Sequence, residues 1–169
     1  MTAGPAITLR PVRDDGHDVR LLLEWRNDPA TRAASFSPEE ISEEEHAAWF
    51  RDSLGRQGRH ILLGYEGDRP VGVVRFDELT PGEAEVHIIV APEGRGRGVG
   101  RRLLATACDY ASRELGFRRI VARIREDNQA SRAVFARNGF GPERPETLAR
   151  DGREIPIVVT ARPSGSTEE

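Results

Sequence analysis

Apolar and polar positions follow two periods along this chain, and each period marks a class of element. Ile7-Thr8-Leu9-Arg10 alternates as a strand does, and Pro11 stops it. Val19, Leu22, Leu23 and Arg26 share one helical face with Trp25 beside it, and that helix ends before Pro29. A short irregular stretch, Ala30 to Pro38, is expected next. Ser42-Glu43-Glu44-Glu45 has the form of a capping box and starts a second helix that runs to about Leu54. After a loop from Gly55 to Gly58, Ile61 to Tyr65 and Val71 to Phe76 flank Glu66-Gly67-Asp68-Arg69, a hairpin signal. Glu83 to Val90 reads as a fourth strand. A helical period runs from about Gly98 to Leu115 and closes on Gly116. Arg118 to Ile124 is a fifth strand. Asn128 caps a short helix from Gln129 to Arg137, and two final strands fit near Phe140 and at Glu154 to Ala161.

This order predicts one α/β (α+β) domain over residues 7–161, between a disordered N-terminus (1–6) and a flexible tail (162–169). The strand, helix and strand around residues 86–124 should form a right-handed parallel crossover. A net charge of −3 gives no global pull towards nucleic acid or an anionic membrane. The chain has no run of apolar residues long enough for a membrane span, and its first residues lack the pattern of a signal peptide. Cys108, the single cysteine, lies in the helical pattern as a small core residue and cannot form an internal disulfide. A cytoplasmic protein without a metal is the expectation.

Arg95-Gly96-Arg97-Gly98-Val99-Gly100 stands between the fourth strand and the helix after it. A glycine-rich turn can bare several backbone N–H groups, because glycine adopts positive φ and lets a ligand approach closely. Those donors and the positive end of the helix dipole suit a phosphate. Arg95, Arg97 and Arg101 add positive charge. The chain has no lysine, so the Gly-Lys-Ser/Thr of a nucleotide-hydrolysing phosphate loop is missing. The dinucleotide fingerprint is missing too, since no matching acid follows at a strand end.

The loop does fit Arg/Gln-x-x-Gly-x-Gly/Ala, through Arg95, Gly98 and Gly100. It resembles the coenzyme A pyrophosphate loop of the GCN5-related N-acetyltransferase (GNAT) superfamily. Val90-Ala91-Pro92-Glu93 before it is typical of that family. So are Asn128-Gln129-Ala130-Ser131 and Phe135-Ala136-Arg137-Asn138-Gly139-Phe140 after it. The resemblance covers roughly residues 7–161 and implies a mixed sheet that splays between its fourth and fifth strands, flanked by helices. It implies acetyl-CoA in that notch, its pantetheine paired with the backbone of the fourth strand. The implied cofactor residues are Ile88, Ile89, Val90, Arg95, Gly96, Arg97, Gly98, Val99, Gly100, Arg101, Asn128 and Phe135.

Acetylating an amine needs a neutral amine, donors for the developing oxyanion, a leaving thiolate and both reactants in register. By the resemblance, backbone N–H groups near Ile89 and Val90 serve the oxyanion. Strand alternation puts Glu85, His87 and Ile89 on one face, towards solvent or a cleft, and Val86, Ile88 and Val90 on the other. Glu85 is the first candidate for the base and His87 the second; the alternative is a solvated polar face. The family's tyrosine near the coenzyme sulfur is replaced by Phe135, which has no proton to give. Water, an unassisted thiolate or another group must then serve.

The N-terminal third of such enzymes usually makes the acceptor site. Trp25-Arg26-Asn27 with His46-Ala47-Ala48-Trp49 resembles the amino-sugar nucleotide acetyltransferases, including those of pseudaminic acid biosynthesis. That resemblance implies Arg26 and His46 on nucleotide phosphates and Trp49 or Phe50 on the base or sugar. The partner would be a small-molecule amine, with the protein a monomer or homodimer. The residues also allow Arg26 as a surface ion-pair partner and the aromatics as core. Two other readings stand: a ribosomal-protein-type peptide N-terminal acetyltransferase, which shares Leu9-Arg10-Pro11 and the Trp-Arg-Asn segment, and a non-catalytic acyl-CoA-binding module, which Phe135 favours.

Overall fold

The computed structural model describes residues 4–164. Its elements are β1 (Thr8–Pro11), α1 (Gly16–Asn27), α2 (Pro29–Ala34), α3 (Glu43–Gly55), β2 (Arg59–Glu66), β3 (Arg69–Thr80), β4 (Glu83–Val90), α4 (Val99–Arg113), β5 (Arg119–Arg125), α5 (Gln129–Arg137), β6 (Arg144–Arg150) and β7 (Arg153–Pro163). A single-turn 3₁₀ segment, Pro92–Gly94, precedes the glycine-rich loop. The sheet has seven strands in the order β1-β2-β3-β4-β5-β7-β6. Every pairing is antiparallel except β4 with β5. A parallel pair needs a crossover, and α4 supplies it.

Two apolar layers hold the sheet. On one face α4 and α5 cover Leu62, Val74, Phe76, Val86, Ile120, Ala122 and Val158. On the other, α1 and α3 set Leu22, Trp25 and Phe50 against Ile61, Leu63 and Val73. Helix α4 buries Val99, Leu103, Leu104, Ala107, Cys108 and Ala111, the stripe that a 3.6-residue period produces. Leu103 fixes how α4 sits. Gly64 and Gly72 are paired across β2 and β3, and a Cβ on either would come within 2.5 Å of a Leu103 methyl. These two glycines make the hollow that seats Leu103, which sets the α4 N-terminus at the end of β4.

Three sequence expectations change. Residues 29–34 are helical, because the Asp28 carboxylate caps the Thr31 N–H at 3.1 Å and Pro29 fits the first turn, where it has no N–H to lose. No strand begins at Phe140; its ring is buried edge-on against Phe135 at 4.9 Å, and β6 starts at Arg144. The chain is ordered beyond residue 161: β7 runs to Pro163, and the Ser164 N–H donates to the Arg118 carbonyl at 2.9 Å. At the other end, the Pro5 carbonyl accepts from Arg102 at 2.6 Å. The remainder of the expected flexible ends, 1–3 and 165–169, lies outside the described residues.

Candidate active site

Strands β4 and β5 pair at Glu83↔Arg119, Ala84↔Ile120 and Glu85↔Val121, and their pairing ends there. From Val86 to Val90 the β5-side edge of β4 is unpaired, so the sheet opens into a notch. The Ala91 N–H donates to the Val71 carbonyl at 2.8 Å, which makes that pair a hydrogen-bonded one. Alternation along the ladder then commits Ile89 to β3 and turns the N–H and C=O groups of Ile88 and Val90 into the notch. Their side chains pack towards the core under α4 and α5.

The glycine-rich loop closes one end of the notch. Gly98 is the N-cap of α4, with φ 74° and ψ 11°, and no side chain caps this helix. Gly96 is also left-handed, at φ 75°. A Cβ on Gly96 or Gly98 would meet nothing within 4 Å, so open space lies against their backbone. The first N–H groups of a helix have no partner within it. Here they face outwards beside Arg97 and Arg101, whose exposed side chains make no hydrogen bond or ion pair among the described residues. This donor set fits a diphosphate. Arg95 differs: its Nη2 pairs with the Asp28 carboxylate and lies 2.9 Å from the Thr31 hydroxyl, so the loop is tied to α2. Asn128 is the N-cap of α5, its side-chain oxygen accepting from the Ser131 N–H at 3.2 Å.

A charged belt lies on the sheet face opposite α4. Cross-strand register aligns Arg59, Asp77 and Glu85, then Arg75 beside His87. Arg59 Nε is 2.7 Å and Arg75 Nε 3.1 Å from the Asp77 carboxylate. Glu85 is 5% exposed and takes two hydrogen bonds from Arg123, at 2.5 and 3.0 Å. Burial disfavours its charge, but His87 and Arg123 outweigh that and hold its carboxyl down to about 2. So acidic a carboxyl is a poor proton acceptor near neutral pH. The first candidate for the base is therefore a strand tie in its geometry. His87 is different. Its Nε2 lies 3.4 Å from Glu85 Oε1 and 3.5 Å from Asp77 Oδ2, within ion-pair range but without an aligned hydrogen bond.

The sequence-predicted acceptor residues scatter. His46 is 3% exposed and its Nε2 bonds the Val19 carbonyl at 2.8 Å, pinning α3 to α1. Burial lowers its pKa, with the Val19 bond opposing. It offers no face to a phosphate. The half-buried Trp49 ring packs against the guanidinium groups of Arg59 and Arg75, 5.8 and 5.7 Å from its centre, and not against an open cleft. Phe135 is 2% exposed, a core residue and not a wall of the notch, because the buried face of α5 needs an aromatic against Phe140. Phe50 is fully buried.

Arg26 lies against the loop after α2, in company that spacing could not reveal. Its Nη2 donates to the Ser37 carbonyl at 2.6 Å, while Asn27 exchanges two bonds with the Ile41 backbone, at 2.7 and 2.8 Å. The Trp-Arg-Asn segment thus shapes the loop after α2. Arg95 anchors the start of α2, and Arg125, at the end of β5, donates to the Ser35 carbonyl at 3.3 Å. Residues 28–37 therefore bridge the ends of β4 and β5 as a lip over the notch. Arg26 Nη1 and Arg32 Nε are buried there without a partner among the described residues. Burial, and then the charge of Arg32, lower the Arg26 pKa below the ordinary arginine value. No motif signalled Arg32.

Asp15, His17 and Asp18 also converge, but Arg10 already neutralises Asp18 through two bonds at 2.7 and 2.9 Å. No helix among the described residues is long and apolar enough to cross a membrane.

Comparisons with known proteins agree with this geometry. The sequence matches the acetyltransferase (GNAT) domain family over residues 6–141. It is 35% identical over 88 residues to the N-alpha-acetyltransferase RimI of Mycobacterium tuberculosis, covering 52% of this chain and 50% of that protein. It is 23% identical over 126 residues to the acetyltransferase PseH of Campylobacter jejuni, covering 75% and 78%. The match spans 22% and 50% of the lengths of the first two curated relatives. In structure it resembles the spermidine N-acetyltransferase of Vibrio cholerae, solved with CoA and spermine. The TM-score is 0.80 at 21% identity, covering 94% of this chain and 95% of that one, a likeness of fold. The notch, the uncapped glycine turn and the family match lead to one conclusion: the chain belongs to the GNAT acetyltransferase family, whose co-substrate is acetyl-CoA.

Proposed function

We propose that this protein transfers an acetyl group from acetyl-CoA to the primary amine of a small acceptor that carries negative charge, the amino group of a nucleotide-linked amino sugar. One observation carries the acceptor: Arg26 Nη1 and Arg32 Nε are buried N–H groups without partners in the lip. Buried donors left unpaired are costly, and two adjacent guanidinium groups repel, so an anion between them answers both. Arg125, whose Nη1 donates to Ser35 in the same lip, is already paired with Asp127 at 3.1 Å, so the unpaired donors are those of Arg26 and Arg32.

Bound acetyl-CoA supplies an activated thioester. The backbone N–H groups of Ile88 and Val90 are the donors placed to stabilise charge on its carbonyl oxygen. The Gly96 to Arg101 turn would hold its diphosphate. His87 is the base in this reading. The carboxylates of Glu85 and Asp77 sit around Nε2, favouring the tautomer with the proton there and leaving Nδ1 to accept the amine proton. Phe135, buried and without a hydroxyl, gives no proton to the thiolate. A thiol has a pKa of about 8.5, so an unassisted thiolate is an acceptable leaving group near neutral pH.

The test is release of CoA thiol with a panel of acceptors: UDP-linked amino sugars, peptide N-termini and spermidine. Preference for the anionic sugar, with KM raised by Arg32→Ala, is the expected result. A better peptide or polyamine substrate would replace this acceptor.

A further inference from the structure

Arg95 belongs to two structures at once. It ends the turn after β4 and precedes the two left-handed glycines. Its Nη2 is held by the carboxylate of Asp28, the N-cap of α2, and by the hydroxyl of Thr31 in that helix's first turn. Its Nε and Nη1 make no hydrogen bond among the described residues. We infer that Asp28 and Thr31 are positioning residues for the coenzyme A diphosphate and that they act through Arg95. The inference rests on the reading that the Gly96 to Arg101 turn holds that diphosphate.

The physical case is preorganisation. A free arginine side chain is among the most costly to immobilise, at about 1.5–2 kcal/mol of rotamer entropy. Anchoring one terminal nitrogen removes most of that freedom before a ligand arrives. With Nη2 engaged, the remaining Nε–H and Nη1–H donors point to different sides of the planar guanidinium, and each can give one charge-assisted bond to a phosphate oxygen. Asp28 is placed for this by its second task. As N-cap of α2 its carboxylate accepts from the Thr31 N–H, so the helix start orients the anion that orients the arginine. The acceptor lip therefore shares a residue with the cofactor loop.

The opposite is conceivable on the same geometry: the Asp28 carboxylate would compete with the diphosphate for Arg95, and removing its charge would tighten binding. Calorimetric titration separates the two. Asp28→Asn keeps an N-capping oxygen, so α2 should still form. Titrated with CoA and with 3′-dephospho-CoA, the Asp28→Asn protein should bind both about three- to tenfold more weakly, the loss typical of a charge-assisted contact near a surface. In an Arg95→Ala background the Asp28→Asn change should add nothing. Unchanged or tighter binding overturns the inference. So does a loss confined to CoA, which would place Arg95 on the 3′-phosphate, or a loss that persists without Arg95. Gly98→Val isolates the underlying reading. Unchanged CoA affinity in that folded variant removes the loop as the diphosphate site. A large loss there with none in Asp28→Asn removes the present inference alone.

Discussion

Glu85 on β4 grips Arg123 on β5 through two hydrogen bonds, two residues beyond the last paired position of β5, Val121. The two strands stop sharing backbone bonds there, and the side chains take over as a tie at the base of the notch. Glu85 is buried but the Arg123 side chain is 33% exposed, so water screens part of the charge that removing one partner strands, and the cost falls between about 1 kcal/mol for a surface pair and about 3–5 kcal/mol for a buried one. Glu85→Gln should therefore lower stability markedly at pH 7. The folded pKa of Glu85 is depressed from 4.5 to about 2. Its contribution is thus complete above about pH 4.5 and is lost as the pH falls through about 2. Urea unfolding of both proteins across that range should show the gap closing as pH falls. A constant gap would mean that Glu85 stabilises the fold by packing alone.

His46 is expected to behave as a core residue. His46→Ala should cost about 1–3 kcal/mol through the lost Val19 bond and leave the acceptor KM unchanged. Because burial lowers the folded pKa of His46, the unfolded chain binds the proton more readily. The stability His46 contributes is present above about pH 6.5 and is lost as pH falls through its lower folded value. Thermal melts should show the wild-type and His46→Ala proteins converging on acidification. A KM rise at unchanged stability would restore His46 to the acceptor site.

Phe135→Tyr should not restore a catalytic acid. The added hydroxyl enters an aromatic contact that is 2% exposed. An unsatisfied buried hydroxyl costs about 1–3 kcal/mol. A lower melting temperature with no gain in turnover is expected. A gain in turnover at unchanged stability would show that the position opens to the notch.

Gly98→Val should weaken CoA binding at least about tenfold, since a side chain at a helix N-terminus blocks backbone approach to an anion. The left-handed φ adds strain of about 1–2 kcal/mol. Gly116→Val is the control, since Gly116 has φ 72° with equally open space, but beyond the far end of α4. It should show the strain in its melting temperature without the loss of affinity. Similar affinity losses in both would assign the effect to strain.

Cys108 should be silent in thiol assays. It is buried, and burial pushes its thiol up to about 11. An aromatic disulfide reagent at pH 8 should report released CoA without labelling the native protein. Rapid labelling before denaturant is added would show that α4 opens locally.

Much of this protein is legible in its sequence, for physical reasons of short range. Periodicity along α4 comes from one helix burying one stripe, so Leu103, Leu104 and Cys108 mark it. The glycines at 96 and 98 mark a left-handed turn, because few other residues accept that backbone. The alternation of Glu85, His87 and Ile89 gives their common face, because a strand repeats every second residue. What those residues do is a different matter. Whether Glu85 is a free base or half of an ion pair depends on Arg123, 38 positions away. His46 and Arg26 look alike from sequence as polar residues on helices. Packing of α3 on α1 buries one against Val19, while the bend after α2 leaves the other with an unpaired N–H at the lip. Arg95 was readable as a cation in a phosphate loop; its tie to Asp28 exists only because the fold brings α2 across the ends of β4 and β5. Local conformation follows from steric preference and the solvation of neighbouring residues. Charge state and partner choice follow from burial and from contacts between distant segments, which the tertiary structure alone decides.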